Sequence, residues 1–162
     1  MNNGAEGILP SELGALTALT YVRLYSNAFS GRIPTELGRM TALTFGPMLS
    51  LNSLTSTIPT EYGYFTMVTK DITVGANTHL SGTIPSEFGQ ITGIYDNLNF
   101  AFTDIRGSIP TQIGRTGMKR LFNMNDNQIS GSIPTQIGKF TALYEYFRLY
   151  SNKLCGDIPT EV

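Results

Sequence analysis

The sequence has few of the side chains that build covalent or metal-dependent sites. Its 162 residues include one cysteine (Cys155), one histidine (His79) and no tryptophan. One cysteine cannot form an internal disulfide, and a zinc site needs several Cys or His ligands. The sequence also lacks a phosphate-binding glycine loop and a serine nucleophile elbow. We therefore predict no catalytic residues, no metal and no cofactor.

Charged residues are scarce as well. They make up 14% of the chain, and the formal net charge is -1. A nucleic-acid-binding protein needs a basic surface that displaces counterions, so nucleic acid is not expected as a partner. No apolar run reaches the roughly 18 residues of a membrane span. Met1 is followed by Asn2 and Asn3 instead of a basic and then an apolar region. The sequence therefore predicts neither a membrane segment nor a signal peptide within this chain.

Glycine and proline, by contrast, are abundant, and the prolines are evenly spaced. The chain has 17 Gly and 8 Pro. Ile-Pro or Leu-Pro, followed by Thr or Ser and then Glu or Gln, recurs at intervals of 24 to 26 residues. The repeated prolines are Pro10, Pro34, Pro59, Pro85, Pro110, Pro134 and Pro159. This period predicts a solenoid in which each unit buries its apolar side chains by stacking on its neighbours.

The first complete unit follows the pattern L-x-x-L-x-x-L-x-L-x-x-N-x-L-x-G-x-I-P. Its fixed positions are Leu16, Leu19, Val22, Leu24, Asn27, Phe29, Gly31, Ile33 and Pro34. This pattern resembles the plant-type leucine-rich repeat, and the resemblance covers essentially the whole chain. It implies an α/β repeat solenoid, right-handed and curved, with a parallel concave β-sheet and short 3-10 or irregular convex segments. We expect one domain over 1–162, with about six full repeats, partial repeats at both ends and no visible caps. Because both ends stop inside a repeat, we expect a fragment of a longer protein.

Within each unit, alternating apolar residues predict a short strand that ends at an inward-facing asparagine. In the first unit the strand spans Tyr21 to Tyr25, with Val22 and Leu24 inward. A buried side-chain amide without partners costs roughly 1–3 kcal/mol, so we expect these asparagines to bond backbone groups of adjacent coils. The predicted ladder is Asn27, Asn52, Asn77, Thr103, Asn127 and Asn152, with threonine in the fourth place.

Two units depart from the pattern. The third has one extra residue between Asn77 and Leu80. In the fifth, Thr116 and Lys119 stand where the first unit has Leu16 and Leu19, and Met118 and Leu121 lie out of register. We predict a local distortion of the convex side at the fifth unit.

The outward strand positions form three predicted columns on the concave face. The middle column is Arg23, Met48, Thr73, Asn99, Asn123 and Arg148. Tyrosines flank the arginine at both ends, and Tyr and Arg are enriched at binding hot spots. The predicted ligand-binding residues are Tyr21, Arg23, Tyr25, Tyr146, Arg148 and Tyr150 as anchors, with Thr73, Asn97, Asn99 and Asn123 as the floor. Duplication of one repeat is the competing explanation for the matching ends.

The family resemblance implies non-enzymatic recognition of a protein, peptide or glycan, within a larger secreted or cell-surface protein. One alternative is ice binding by rows of Thr and Ser, as in some leucine-rich-repeat antifreeze proteins. One such row is Thr57, Thr83, Ser108 and Ser132. The competing explanation for these rows is that small hydroxyl residues suit tight turns. A structural spacer without a ligand is the other alternative, and the sequence leaves the oligomeric state open.

Overall fold

The computed structural model describes residues 3–161. The predicted domain limits at 1 and 162, and the interpretation of Met1 and Asn2, lie outside this range. The chain winds into coils that each contribute to a concave parallel sheet. Regular concave strands span Ile72–Thr73, Asn97–Asn99, Leu121–Asn123 and Tyr146–Arg148. In the first two coils this sheet narrows to single bridges, Arg23 to Met48 and Met48 to Thr73. The predicted strand from Tyr21 to Tyr25 is therefore a one-residue bridge.

A second parallel sheet, not predicted from the sequence, follows the asparagine of each coil. It has seven strands within the described residues. They are Glu6–Ile8, Ala28–Arg32, Ser53–Thr57, His79–Gly82, Asp104–Gly107, Gln128–Gly131 and Lys153–Leu154. The segments are short and contain glycine, which disfavours strands in isolation. They pair because coil stacking places identical backbone segments side by side.

The convex side consists of short 3-10 helices, as predicted. They span Ser11–Ala15, Thr35–Arg39, Thr60–Tyr64, Ser86–Gln90, Thr111–Arg115 and Thr135–Lys139. Each follows a proline in extended conformation, which fixes the backbone angle at the helix start and needs no hydrogen-bond donor there. No helix in the described part of the chain is long and apolar enough to cross a membrane.

One continuous apolar core runs through the stacked coils. It is lined with aromatic rings in the middle coils, where Tyr62 packs 6.3 Å from Phe88 and Phe88 packs 5.2 Å from Phe100, measured between ring centroids. Val22 and Leu24 face this core as predicted, but they are only partly buried because no concave segment is described on their N-terminal side.

The asparagine ladder forms as predicted. The Asn77 side chain is fully buried, and its Nδ2 donates to Val74 O at 2.7 Å and to Leu49 O of the preceding coil at 3.1 Å. Its Oδ1 accepts from Leu54 N at 2.9 Å. Asn52, Asn127 and Asn152 repeat this arrangement. Each amide therefore joins two coils through backbone groups that would otherwise be buried without partners.

The two irregularities around the fourth coil compensate for each other. Thr103 has no amide oxygen to accept from the preceding coil, where Leu80 N occupies the position of Leu54 N. The extra residue, Thr78, closes a turn in which Leu80 N donates to Asn77 O at 2.9 Å. The inserted residue thus satisfies locally the N–H group that an asparagine at 103 would bind.

The fifth unit is distorted on its convex side, as predicted. Thr116 is buried and donates from Oγ1 to Ile113 O at 2.8 Å. Its backbone is extended, with ψ 153°, whereas the equivalent Ile91 has ψ 64°. After this extended step the out-of-register Met118 is buried in the core, where it replaces the apolar side chains that Thr116 and Lys119 do not supply.

The core contains one hydroxyl whose removal we expect to stabilise the protein. Tyr62 is fully buried, and its hydroxyl has no hydrogen-bond partner among the described residues. Because an unpartnered buried polar group costs roughly 1–3 kcal/mol, Tyr62→Phe should raise the free energy of unfolding by about 1 kcal/mol. Urea titration followed by circular dichroism would measure this. Tyr64→Phe, on the exposed side of the same helix, should leave stability unchanged.

The pH dependence of this effect has a definite sign. Burial raises the pKa of Tyr62, so the folded state keeps the phenol neutral. Above about pH 10 the unfolded phenol ionises, and the wild type loses stability as the pH rises. Tyr62→Phe removes this contribution, so its advantage should widen in alkaline solution. An advantage that stays constant between pH 7 and 11 would contradict the assignment of a buried neutral phenol.

Candidate functional site

The structure aligns the middle column of the concave face as the sequence predicted. Backbone pairing connects Arg23 to Met48, Met48 to Thr73 and Thr73 to Asn99, and then continues through Asn123 to Arg148. This gives five strand-to-strand steps, or about 24 Å at about 4.8 Å per step. The two arginines therefore stand at opposite ends of one continuous surface, which we call the trough.

At the N-terminal end of the trough, two of the predicted anchors lie against each other. The Arg23 guanidinium lies 5.3 Å from the Tyr21 ring centroid and 5.9 Å from that of Phe45. The Tyr21 and Phe45 rings meet edge to face at 6.4 Å. Tyr25 stands on the other side of Arg23 and is 48% exposed. Stacking on the rings restricts the guanidinium while leaving its N–H groups free to bind an oxygen-rich group.

The C-terminal end repeats this arrangement. The Arg148 guanidinium lies 4.1 Å from the Tyr146 ring centroid. Between these residues in the sequence, Phe147 points inward and stacks on Phe122 at 5.6 Å. Tyr150 remains exposed. The inward phenylalanine fixes the strand face, so its neighbours on either side must point outward into the trough.

The floor of the trough is polar and less accessible than its ends. Asn123 is buried, and Asn99 and Thr73 are half-buried. Asn99 Oδ1 accepts from Ala101 N at 3.0 Å, so part of its bonding capacity is used within the protein. Asn97 Oδ1 is buried without a hydrogen-bond partner among the described residues. The polar groups of the floor that remain available to a ligand are therefore those, on the half-buried Thr73 and Asn99, that make no hydrogen bond to the protein backbone.

Asp71, which was not among the predicted binding residues, lies in the floor beside Asn97. Partial burial and the Asp96 carboxylate raise the pKa of Asp71, while a hydrogen bond from Asn97 and the charge of Arg120 oppose that change. The middle of the trough thus contains a carboxyl group, whereas each of its ends contains an arginine.

A row of charged and aromatic residues flanks the trough, and sequence reasoning missed it. Each of these residues lies two positions before the inward-facing residue that begins the apolar alternation of its coil or one position before an outward residue: Phe45, Lys70, Asp96, Arg120 and Glu145. Arg120 bonds Asp96 at 3.1 Å and Glu145 at 2.9 Å, which raises the pKa of the guanidinium. The usable signal was the recurrence of a charged residue one position before Asp71, Asn97, Leu121 and Tyr146, in four successive coils. The row links three coils through exposed ion pairs.

On the second sheet, Thr57 of the row considered for ice binding pairs with a residue other than Thr83. Backbone pairing places Thr57 beside Ser81, and Ser81 beside Asp104. Another line joins Arg32, Thr55 and His79. Across these strands, hydroxyl side chains therefore alternate with ionisable groups such as Asp104 and Arg32.

Comparison with known proteins points to one group of structures. No protein-family model matches the sequence, and no curated protein shows significant sequence similarity to it. The chain is similar to the plant peptide hormone receptor RGFR1, solved in complex with RGF2, with 33% identity and a TM-score of 0.87. That match covers 97% of this chain and 24% of the receptor chain.

Two further structures are informative. The Arabidopsis receptor kinase HAESA ectodomain, in complex with an N-terminally extended IDA peptide hormone, has 32% identity and a TM-score of 0.88 over 99% of this chain and 26% of its own. A plant ice-binding protein has 25% identity and a TM-score of 0.65 over 96% of this chain and 63% of its own.

The chain thus spans about a quarter of the length of the receptor chains it matches. The likeness extends over nearly all of this chain, including the segments that form its parallel strands and 3-10 turns. Together with the repeated L-x-x-L-x-x-L-x-L-x-x-N-x-L-x-G-x-I-P pattern, it confirms the predicted family and fold. This protein is a leucine-rich-repeat protein of the plant type.

Proposed function

We propose that this chain is a non-enzymatic recognition module that binds an extended peptide across the trough, as part of a secreted or cell-surface protein. The observation that carries the proposal is the aligned column with a ring-stacked arginine at each end. A fully extended peptide advances about 3.3 Å per residue, so about seven residues span the two arginines. The similar receptors were solved with peptide hormones, which supports a peptide over a glycan as the ligand.

The arrangement suits a peptide for chemical reasons. Each arginine presents several N–H donors in a fixed plane, which matches carboxylate and backbone carbonyl oxygens. The tyrosines beside them supply large contact areas with few rotatable bonds. The polar floor between them can bond the peptide backbone without demanding a particular side chain.

A displayed library of random twelve-residue peptides would test this function. We expect the wild-type chain to enrich a family of peptides whose dissociation constants rise about tenfold or more in Arg23→Ala and in Arg148→Ala, a loss of about 1.4 kcal/mol each. Arg39→Ala and Arg115→Ala, on the convex helices, are matched controls that should bind as the wild type. Failure to enrich any peptide, or undiminished binding by both trough variants, would overturn the proposal. Binding on a glycan array without peptide binding would also contradict it.

Ice binding is the second candidate, favoured by the similar plant ice-binding protein. Arg32 and Asp104, which pair with hydroxyl residues across the second sheet, argue against it, because an ice-binding surface needs a regular array of small groups. Thermal hysteresis measured on the purified chain decides between the two functions. We expect none, and a measurable gap between melting and freezing would favour ice binding.

A further inference from the structure

We infer that the N-terminal end of the trough contains a carboxylate-binding site formed by Arg23, Phe45 and Lys70, which selects an acidic residue in the ligand. This inference rests on the proposed peptide function and adds a preference for one side-chain chemistry at one end. Phe45 and Lys70 belong to the flanking row and were not among the residues predicted from the sequence.

Two cationic side chains share one aromatic ring at this site. The Lys70 ammonium lies 4.9 Å from the Phe45 ring centroid, and the Arg23 guanidinium lies 5.9 Å from the same centroid. Backbone pairing between Phe45 and Lys70 fixes the ring beside the lysine stem. The ring attracts each cation, but it does not neutralise either charge. The ring of the second coil therefore contacts one cation from the first coil and one from the third.

Neither cation has an acidic partner within residues 3–161. The ion pairs there involve only Arg106 with Asp104, and Arg120 with Asp96 and Glu145. The nearest acid in sequence is Asp71, but the charges that affect its pKa are those of Asp96 and Arg120. Neither Arg23 nor Lys70 is therefore part of an ion pair in this part of the chain, although Lys70 lines one cavity with Asp96, which is paired with Arg120.

The site is accessible and partly desolvated. Arg23 is exposed, while Phe45 and Lys70 are half-buried, so a ligand can reach the cations while Lys70 has already lost part of its hydration. A carboxylate bound beside this ring would offset the positive charge of the two side chains and accept a charge-assisted hydrogen bond from either of them. A neutral amide of the same shape lacks the charge that these groups attract.

The opposite end of the trough lacks this arrangement. Arg148 also stacks on a tyrosine, but the flanking residue in its own coil is Glu145, whose carboxylate bonds Arg120. The two ends therefore differ in charge although their outward triplets match. An acidic residue in the peptide would fix which way the peptide lies in the trough.

A direct titration tests the site without knowledge of the natural ligand. The probes are acetyl-Gly-Gly-Glu-Gly-Gly-amide and its Gln analogue, added at low ionic strength to the isotope-labelled chain and followed by amide chemical shifts. We expect the Glu peptide to shift the Arg23, Phe45 and Lys70 signals, and the Gln peptide to bind at least threefold more weakly. Added salt should weaken the binding of the Glu peptide, because the attraction is between charges.

Matched variants make the result specific. Lys70→Gln and Phe45→Leu should each lower the affinity for the Glu peptide at least threefold. Lys139→Gln, on a convex helix, should leave that affinity unchanged. Equal binding of the two probes, an equal loss in all lysine variants, or shifts located elsewhere would overturn the inference. So would binding of inorganic phosphate at these residues without binding of the Glu peptide.

The experiments distinguish failure of the carboxylate site from failure of peptide binding in the trough. If library peptides bind through Arg23 and Arg148 but show no acidic preference in either the titration or the selected sequences, the carboxylate site is wrong and the peptide function stands. If the Glu probe binds at Lys70 but the library yields nothing, the carboxylate contact stands and peptide recognition fails.

Discussion

Replacing Asn77 with alanine should be among the most damaging single substitutions in this chain. The change leaves Leu54 N and Val74 O buried without their hydrogen-bond partner, whereas Leu49 O keeps its bond from Asn52. At roughly 1–3 kcal/mol for each orphaned group, the free energy of unfolding should fall by roughly 2–6 kcal/mol. Chemical denaturation monitored by circular dichroism gives this value directly.

Asn27→Ala provides the matched control for the ladder. Asn27 makes the same kinds of bond, to Leu24 O, Tyr25 O and Ala5 N, but it is only partly buried. Water can reach the backbone groups that lose their hydrogen bonds to Asn27, so the free energy of unfolding should fall by about 1 kcal/mol or less. Equal losses in the two variants would show that the stability comes from the local turn and not from burial of the ladder.

The second large effect should come from Gly89→Ala, on the convex helix that begins at Ser86. A Cβ at this position would lie 2.5 Å from Gln112 O and 2.7 Å from Gln112 Cβ of the next coil. The nearest of these atoms belongs to the backbone, so adjacent helices must separate to admit one methyl group. We expect a loss of about 3 kcal/mol, at the upper end of the range for overpacking.

Gly93→Ala is the control for this substitution, four residues further along the same coil. Its added Cβ would approach Val68 O at 3.4 Å, which is an ordinary contact. Alanine there also restricts the unfolded chain, so stability should stay within about 0.5 kcal/mol of the wild type or rise slightly. If Gly89→Ala were equally harmless, the close stacking of the convex helices would be wrong. Thermal melts of both variants, recorded side by side, make the comparison.

The sequence predicts where the residues of the trough lie better than it predicts how exposed they are. Val22, Leu24 and Asn27 fix the inward positions by their spacing, so the outward positions of Tyr21, Arg23 and Tyr25 follow from simple alternation. That argument located the middle column correctly in every coil. It did not reveal that the Asn123 side chain is buried, because burial on a concave surface depends on how closely neighbouring coils approach.

The flanking row was missed for a related reason. Lys70 and Phe45 lie just outside the alternating segment, where sequence spacing does not define which way a side chain points. Their proximity to Arg23 arises from three successive coils, and the residues are separated by more than twenty positions in the chain. A contact of that kind depends on the register of coil stacking, which the repeat length alone does not fix to within one residue.

The second sheet was also decided by tertiary structure. Its strands are short and rich in Gly, Ser and Thr, so local preference argues against them. They exist because the apolar side chains of each coil can be buried only by stacking, and stacking aligns equivalent backbone segments at strand spacing. The third-coil insertion at Thr78 shows the same dependence, since its turn has a function only because Thr103 stands in the next coil.

The sequence alone determined the repeat length, the inward apolar and asparagine positions, the proline-initiated convex turns and therefore the family. These features are encoded in spacing within about 25 residues, where local geometry decides the structure. The tertiary structure decided which outward side chains are accessible and which cations lack a partner, because charge pairing and burial depend on side chains brought together from different coils.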